Sequence, residues 1–248
     1  MGLFDKELAS IRRYLAGAEI HPRRREYRHD TTVQWPKGKG KSVVLSQDTA
    51  VELGNPREES CSFMVWVDDP GCVRDGVITL VGPELSECEG QSIPFGKAVI
   101  IGVRGFTPEN SYDHYREMDL ARYDLDLRGY MLKAASQYRR EWSRVSKDAL
   151  RDGFSFRVLG GALIDALKKN PYVEAVEALF VTSSPGDVRG LAPISEGAHT
   201  VIEAMTKMID ELDFDCGSCD YNDICSDVAG LRTMRRQLEK KGELRYGT

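Results

Sequence analysis

The chain has 248 residues, of which 41% are apolar and 29% are charged, and its formal net charge is −5 at pH 7. This apolar content is sufficient for a packed core and excludes a largely disordered chain. No run of about 18 apolar residues occurs, so the sequence predicts no transmembrane helix, and its first residues lack the apolar stretch of a secretory signal. We therefore expect a soluble, cytoplasmic protein with no membrane partner.

The first hundred or so residues predict a short helix followed by strands. Apolar residues recur at roughly helical spacing over residues 3–16, which predicts an amphipathic helix. Residues 21–41 are basic and contain several Pro and Gly residues, which favours an irregular, flexible surface arm. Short β-branched runs between turn residues then predict strands at 42–46, 61–67, 76–82 and 97–103.

The sequence of the second half of the chain predicts mostly helices, with two strands between them. Helical spacing follows Pro108 and continues in a second segment from Leu127 to Ala134. The later elements are a strand at 142–146, a helix at 156–169, a strand at 172–184, a helix at 198–212 and a basic helix at 227–241. This order predicts an α+β fold, with a β-rich N-terminal block followed by helix–strand–helix units and a Cys-rich C-terminal helical segment. The expected domains are an N-terminal helix and arm (1–41), an α+β region (42–212) and the Cys-rich segment (213–248).

Three of the six cysteines form a cluster with the spacing C-x2-C-x5-C, namely Cys216, Cys219 and Cys225. Thiolates at this spacing can share one soft metal centre, which suits a [4Fe–4S] cluster or zinc. The spacing does not discriminate between the two, and reduced thiols without metal are a third alternative. Either centre needs a fourth ligand, for which the candidates are Cys61, Cys72, Cys88 and His199.

A second feature is the density of cations between residues 122 and 157. This stretch holds seven arginines and two lysines around Trp142, in a chain that is acidic as a whole. Guanidinium groups suit phosphates and an indole suits a nucleotide base, so the stretch is a candidate site for a phosphate-bearing ligand. The alternative is a solvated helix face with acidic partners. Nucleic acid is disfavoured as the ligand because the net charge is negative.

Several segments, in order and spacing over about residues 42–190, resemble the β subunit of the carbon monoxide dehydrogenase/acetyl-CoA synthase complex (acetyl-CoA decarbonylase/synthase in archaea). They are AVELGNP at 50–56, DGVITLVGPEL at 75–85, SIPFG at 92–96, EWSRVSKDALRDGFSFRVLGGAL at 141–163 and the following YVEAVEALFVTSSPGDV. The region resembles the α+β middle domain of that enzyme, which precedes its metal-bearing domain. In that family an arginine-rich middle domain with a tryptophan is associated with coenzyme A, so the resemblance implies CoA contacts at Trp142, Arg140 and Arg144.

The resemblance also implies one-carbon metabolism in an anaerobe and an acyltransferase, acetyl-CoA synthase. That enzyme holds nickel in a Cys-Gly-Cys tripeptide, which this sequence does not contain. We therefore expect an accessory or partial subunit that carries an iron–sulfur cluster and is not competent alone for acetyl-CoA synthesis. Its expected partners are other subunits of such a complex, a ferredoxin or a corrinoid protein.

Two other functions remain as alternatives. One is a non-catalytic binding module with a structural zinc site. The other is a nuclease, because the cysteine spacing also resembles the iron–sulfur staple of certain recombination and CRISPR-adaptation nucleases. The strand at 172–184 contains Glu174 and Glu177 but lacks the Glu-x-Lys sequence that those nucleases need for metal-assisted hydrolysis, which disfavours this interpretation.

Overall fold

The computed structural model describes residues 2–38, 43–88, 91–107, 110–136 and 139–210. The strands of this part are β1 (Arg24–Arg28), β2 (Thr49–Leu53), β3 (Ser60–Val67), β4 (Val77–Val81), β5 (Gln91–Ile93), β6 (Phe95–Val103), β7 (Tyr130–Ser136), β8 (Arg140–Ser146) and β9 (Val173–Val181). Its helices are α1 (Asp5–Ala16), α2 (Ser111–Tyr123), α3 (Lys147–Arg151), α4 (Phe156–Leu167), α5 (Pro185–Gly190) and α6 (Ala192–Asp210). None of these helices combines the length and apolarity that crossing a membrane requires.

The larger sheet has the strand order β1-β4-β9-β6-β3 and mixes parallel and antiparallel pairs. Its central strands are almost wholly buried because they are runs of apolar and β-branched residues covered on both faces. Ala178 pairs with Ile78, on which Gly160 of α4 packs. Glu177, which precedes Ala178 on β9, points to the other face of the sheet, where Arg12 of α1 binds it. Helices α4 and α1 therefore cover opposite faces of the sheet.

The smaller sheet has the strand order β5-β2-β8-β7 and is joined to the larger one along β3. The amide of Ser62 donates a hydrogen bond to the carbonyl of Arg139 (2.7 Å). The hydroxyl of Ser60 donates to the carbonyl of Glu141 (2.7 Å) and accepts from its amide (2.9 Å). Gly54, at a φ of 61°, lies close against this junction, where a Cβ atom would collide with the Glu141 carbonyl and with Ser60.

The two mixed sheets and their helices agree with the predicted α+β class. The β-rich block is followed by α2 and the β7–β8 hairpin, and the helix–strand–helix unit α4–β9–α5 comes after them. The strands predicted at 61–67, 76–82 and 97–103 and the helix predicted at 156–169 are present as β3, β4, β6 and α4. Helix α6 begins at Ala192, six residues before the predicted start. The Cys-rich segment and the basic last helix lie outside the described residues.

Three predictions of local structure are wrong. Residues 43–45 have no regular structure, and the strand lies further on, in β2. Within the arm expected at 21–41, residues 24–28 form β1, which is hydrogen-bonded to β4. The helical segment expected from Leu127 to Ala134 is instead interrupted at Gly129 (φ 78°) and continues as β7, because pairing with β8 overrides the local spacing.

Candidate functional site

Strand β8 places the three residues predicted as a ligand site on one face. Side chains alternate across a strand, and along β8 Glu141 and Ser143 are buried, whereas Arg140 is exposed and Trp142 and Arg144 are half-buried. The smaller sheet thus presents Arg140, Trp142 and Arg144 side by side on its outer surface.

Two cations lie over the indole of Trp142. The guanidinium carbon of Arg144 is 5.2 Å from the ring centroid, and the ammonium nitrogen of Lys133 is 5.8 Å from it. Lys133 lies at an irregularity in the pairing of β7 with β8, between Leu132 and Ala134. We call the surface formed by Lys133, Arg140, Trp142 and Arg144 the β8 outer face.

The β8 outer face keeps an excess of positive charge and unused hydrogen-bond donors. Nε of Arg144 donates to Glu52 Oε1 (2.7 Å), and Arg140 donates to the backbone carbonyl of Glu58. Of the three cations on this face, only Arg144 has an ion pair with a carboxylate among the described residues, that of Glu52. The buried indole Nε1 of Trp142 has no hydrogen-bond partner among the residues that the structure describes, and an acceptor atom of a ligand or a water molecule would satisfy it.

The other arginines of the predicted cationic stretch lie elsewhere. Residues 130–146 form the β7–β8 hairpin, so the alternative of a solvated helix face is wrong for this part of the stretch. The arginines outside the β8 outer face are each paired with an acidic side chain, in the pairs Arg122–Asp119, Arg128–Asp152, Arg139–Glu196, Arg151–Asp148 and Arg157–Asp30.

The inner face of β8 holds a buried ion pair that the sequence analysis missed. Lys97 of β6 binds Glu141, and their side chains are 3% and 0% exposed. The hydroxyl of Ser62 donates to the same carboxylate (Glu141 Oε2, 2.9 Å). Burial lowers the pKa of Lys97, and the adjacent carboxylate opposes this shift. The signal in the sequence was a lysine inside an otherwise apolar strand, since a lysine is buried only where it is paired.

The cysteines within the described residues do not form a metal site. Cys61 and Cys88 are buried, and burial raises the pKa of each thiol to about 11, so both are protonated at neutral pH. Cys72 is exposed, and its pKa is raised by a hydrogen bond to Asp69 (3.5 Å). His199 Nε2 lies 2.9 Å from Glu203.

These described residues contain no group of three or more His, Cys, Asp or Glu side chains placed to hold a metal ion. The described residues therefore supply no set of ligands for the nickel or iron–sulfur centre that the family resemblance implies. The predicted ligands Cys216, Cys219 and Cys225 lie outside the described part of the chain.

The fold and this surface define a class of protein, an α+β domain of two mixed sheets whose outer sheet carries a cationic face around a tryptophan. Residues 36–186, more than half of the chain, match the family model described as the CO dehydrogenase/acetyl-CoA synthase complex beta subunit. The chain therefore belongs to this family. The matched residues include the whole β8 outer face.

Individual relatives agree with the family model. The chain is 28% identical over 184 residues to the acetyl-CoA decarbonylase/synthase complex subunit beta of Archaeoglobus fulgidus, which covers 71% of this chain and 34% of that protein. It is 28% identical over 175 residues to subunit beta 1 of the same complex from Methanosarcina thermophila, covering 69% and 36%. The match to the carbon monoxide dehydrogenase/acetyl-CoA synthase subunit alpha of Moorella thermoacetica is 27% over 135 residues, covering 54% and 18%. The chain thus spans about a third of the length of the archaeal relatives.

Proposed function

We propose that this chain binds coenzyme A on the β8 outer face and acts as an accessory or partial subunit of a CO dehydrogenase/acetyl-CoA synthase-type complex. The observation that carries the proposal is that Lys133 and Arg144 both lie within about 6 Å of the Trp142 ring centroid, on the strand face that also carries Arg140. Its relatives are subunits of acetyl-CoA decarbonylase/synthase complexes by name, and they share the part of the chain that contains this face.

The chemistry of the face matches that of coenzyme A. The ligand carries several phosphate charges, an adenine ring and a long amide-containing arm that ends in a thiol. Arg140, Arg144 and Lys133 supply cations for the phosphates, and arginine in particular can bind a phosphate through two N–H groups. The half-buried indole of Trp142 supplies an aromatic surface for adenine.

Calorimetric titration of the full chain with coenzyme A tests the proposal. We expect binding by coenzyme A, weaker binding by dephospho-coenzyme A and the weakest binding by pantetheine, because each step removes phosphate charge from a ligand held by cations. Absence of binding by a folded sample at about 1 mM coenzyme A would contradict the proposal.

Charge-removing variants locate the site. Arg140→Gln and Arg144→Gln should each weaken coenzyme A binding about three- to tenfold, as expected for partly exposed ion pairs. Arg128→Gln is the matched control, since Arg128 belongs to the same cationic stretch but pairs with Asp152 away from the β8 outer face. Equal affinities for the wild type and the Arg140 and Arg144 variants would place any coenzyme A site elsewhere.

The proposed role does not include synthesis of acetyl-CoA by these residues alone. Cys-Gly-Cys is absent from the 248 residues, so the nickel chemistry of the family has no ligand set of that kind here. We propose that another subunit of the complex supplies that chemistry, and that a ferredoxin or a corrinoid protein is a further partner. Co-purification of the chain with a tagged nickel-bearing subunit would support this assembly, and failure to associate would contradict it.

The cysteine cluster is proposed to carry a metal centre on the strength of its spacing. A [4Fe–4S] cluster held by Cys216, Cys219, Cys225 and a fourth ligand would supply electron transfer, and the alternative is structural zinc. Anaerobic purification followed by iron and zinc analysis separates the two. About four irons per chain with broad visible absorbance would support the cluster. Stoichiometric zinc would support the binding-module alternative. If the purified chain contains neither iron nor zinc, both proposals are contradicted.

A further inference from the structure

A cavity of about 190 Å³ lies at the edge of the larger sheet, away from the β8 outer face. Strand β3, helices α2 and α6 and the residue that precedes β8 form its wall. The cavity is lined by Ser62, Phe63, Met64, Tyr115, Asp119, Arg122, Tyr123, Arg139, Ser195, Ala198, His199 and Ile202. Nothing in the proposed coenzyme A site uses these side chains.

The cavity combines apolar walls with a small number of polar groups that converge on it. Phe63, Tyr115 and Ile202 contribute aromatic and aliphatic surface, whereas Arg122 and Arg139 contribute guanidinium groups. Such a combination is typical of sites that bind small organic molecules, in which the polar groups fix the orientation and the apolar walls bury the rest.

Arg122 is held firmly in this wall. It is only 4% exposed. Its Nη1 donates to Ser62 Oγ (3.2 Å), and its Nη2 donates to Asp119 Oδ1 (2.5 Å) and to the Tyr123 hydroxyl. Ser62 in turn binds Glu141 of the buried ion pair. Because these contacts fix the guanidinium before any ligand arrives, binding would cost little reorganisation.

Both arginines have donors without a partner among the residues that the structure describes. Nε of Arg122 and Nη1 of Arg139 are buried and lack a hydrogen-bond partner in the described part of the chain. A buried unpaired donor is costly, and one on a charged group more so, so an acceptor oxygen of a ligand or of a water molecule would be favourable here. Each guanidinium has one carboxylate partner, Asp119 for Arg122 and Glu196 for Arg139, so a ligand anion would bind here by displacing one of these carboxylates.

The carboxylate that pairs with Arg139 belongs to Glu196, whose side chain is 64% exposed. An ion pair with so exposed a partner contributes little, and a ligand carboxylate in the less hydrated cavity would compete with it effectively.

The size of the cavity limits the ligand. The volume of about 190 Å³ lies below the range of about 300–1,000 Å³ that is typical of pockets for drug-sized ligands. This volume favours a small organic molecule over a nucleotide cofactor. Because the walls are largely apolar and the ligand would replace the single charge of the Glu196 carboxylate at Arg139, a monocarboxylate fits better than a phosphate ester, which carries close to two charges.

We propose that this cavity binds a small organic monocarboxylate. Its carboxylate is held by Arg122 and Arg139, and its apolar body packs against Phe63, Tyr115 and Ile202. Trp142 and Arg144 lie on the opposite side of β8 from Glu141, so this site and the β8 outer face are separate and can be tested independently.

Ligand-observed NMR on the full chain tests the proposal with benzoate and butyrate as probes and their neutral amides as controls. We expect both carboxylates to show saturation transfer, with affinities at least tenfold higher than those of benzamide and butyramide. No transfer to the folded chain at about 10 mM carboxylate, or equal binding of acid and amide, would overturn the proposal.

Two variants and two controls locate the site. Arg139→Gln should weaken benzoate binding about tenfold, and Ala198→Leu should abolish it by filling the cavity, with circular dichroism confirming that each variant is folded. Arg104→Gln removes an exposed arginine that pairs with Glu174 on the surface, and it should bind benzoate as the wild type does. Arg144→Gln should also leave benzoate binding unchanged, so failure of this proposal is distinguishable from failure of the coenzyme A proposal. Wild-type affinity in Ala198→Leu would show that benzoate binds elsewhere.

If both cavity variants unfold, thermal denaturation of the wild type tests whether benzoate binds to the folded chain. Benzoate should raise its melting temperature in a concentration-dependent manner, whereas benzamide should not. An equal shift by both compounds, or no shift by either, would contradict the proposal.

Discussion

At the residue scale, Glu177 shows how a buried carboxylate is kept charged inside the larger sheet. Its side chain is 1% exposed, and it accepts hydrogen bonds from both terminal nitrogens of Arg12 (2.7 Å each) and from Nε and Nη2 of Arg74 (2.9 and 2.6 Å). Burial raises the pKa of Glu177, but the guanidinium groups of Arg12 and Arg74 lower it by more, so the pKa lies below its ordinary value of 4.5.

This shift predicts acid sensitivity. The carboxyl of Glu177 binds its proton less tightly in the folded state than in the unfolded state. Its contribution to the free energy of unfolding is therefore fully present above about pH 6 and is lost as the pH falls through 4.5 towards the lower folded-state pKa. Glu177→Gln should cost about 2–3 kcal/mol of unfolding free energy at pH 7 and should lose less further stability by pH 4 than the wild type does. Urea unfolding at both pH values measures this.

The matched control is Glu174→Gln on the same strand, since Glu174 is partly exposed and pairs with Arg104. It should lose under about 1 kcal/mol at pH 7 and keep the wild-type pH dependence. A Glu177→Gln protein whose stability falls between pH 7 and pH 4 as much as that of the wild type would contradict the account.

At the element scale, Gly160 explains why α4 lies so close to the larger sheet. A Cβ atom at this position would lie 2.8–2.9 Å from side-chain carbons of Ile78 on β4. Its contact with Ile78 is a packing contact between helix and strand.

Gly160→Ala should therefore destabilise the protein by about 1–3 kcal/mol through overpacking, although alanine is the better helix former. Thermal unfolding followed by circular dichroism measures the change. Gly161→Ala is the neighbouring control, because its Cβ would meet only the ring of His29, at 3.1 Å, a less severe contact than the 2.8 Å approach to Ile78. Equal stability of the two variants would mean that the contact with Ile78 does not limit the approach of α4.

The elements also show which parts of the fold a sequence can predict. β4 and β6 were predictable because every residue in them is buried, so burial and sequence pattern coincide. β1 was missed because it is an edge strand of polar residues (RREYR), whose pairing with β4 is not encoded in its own pattern. β7 was assigned as helix because its apolar residues have helical spacing by chance, and only the partner strand β8 determines its true structure.

The candidate site was predictable to a similar degree. Arg140, Trp142 and Arg144 are two residues apart, so any strand brings them to one face. The pairing of Lys97 with Glu141 and the convergence of Arg122 and Arg139 on one cavity depend on how two sheets and two helices pack, and residues distant in sequence give no local signal of such contacts.

At the scale of the whole molecule, the ion pair of Lys97 and Glu141 joins the two sheets across their buried interface. Lys97→Met should destabilise the protein by about 3–5 kcal/mol because it leaves the Glu141 charge buried without its partner. The double variant Lys97→Met/Glu141→Leu should regain most of this loss, since neither charge is then buried. Denaturant unfolding of the wild type, both single variants and the double variant gives the coupling energy. A double variant as unstable as the sum of the single variants would contradict this role.

The central claim is that coenzyme A binds at Trp142 on the β8 outer face. The most direct measurement is a coenzyme A titration of tryptophan fluorescence in the wild type, in Trp142→Phe and in the control Trp35→Phe, whose indole packs on Phe154 instead. The account predicts a saturable change in the wild type and in Trp35→Phe that is absent from Trp142→Phe. An unchanged signal in the folded wild type, or the same response in Trp142→Phe, would contradict it.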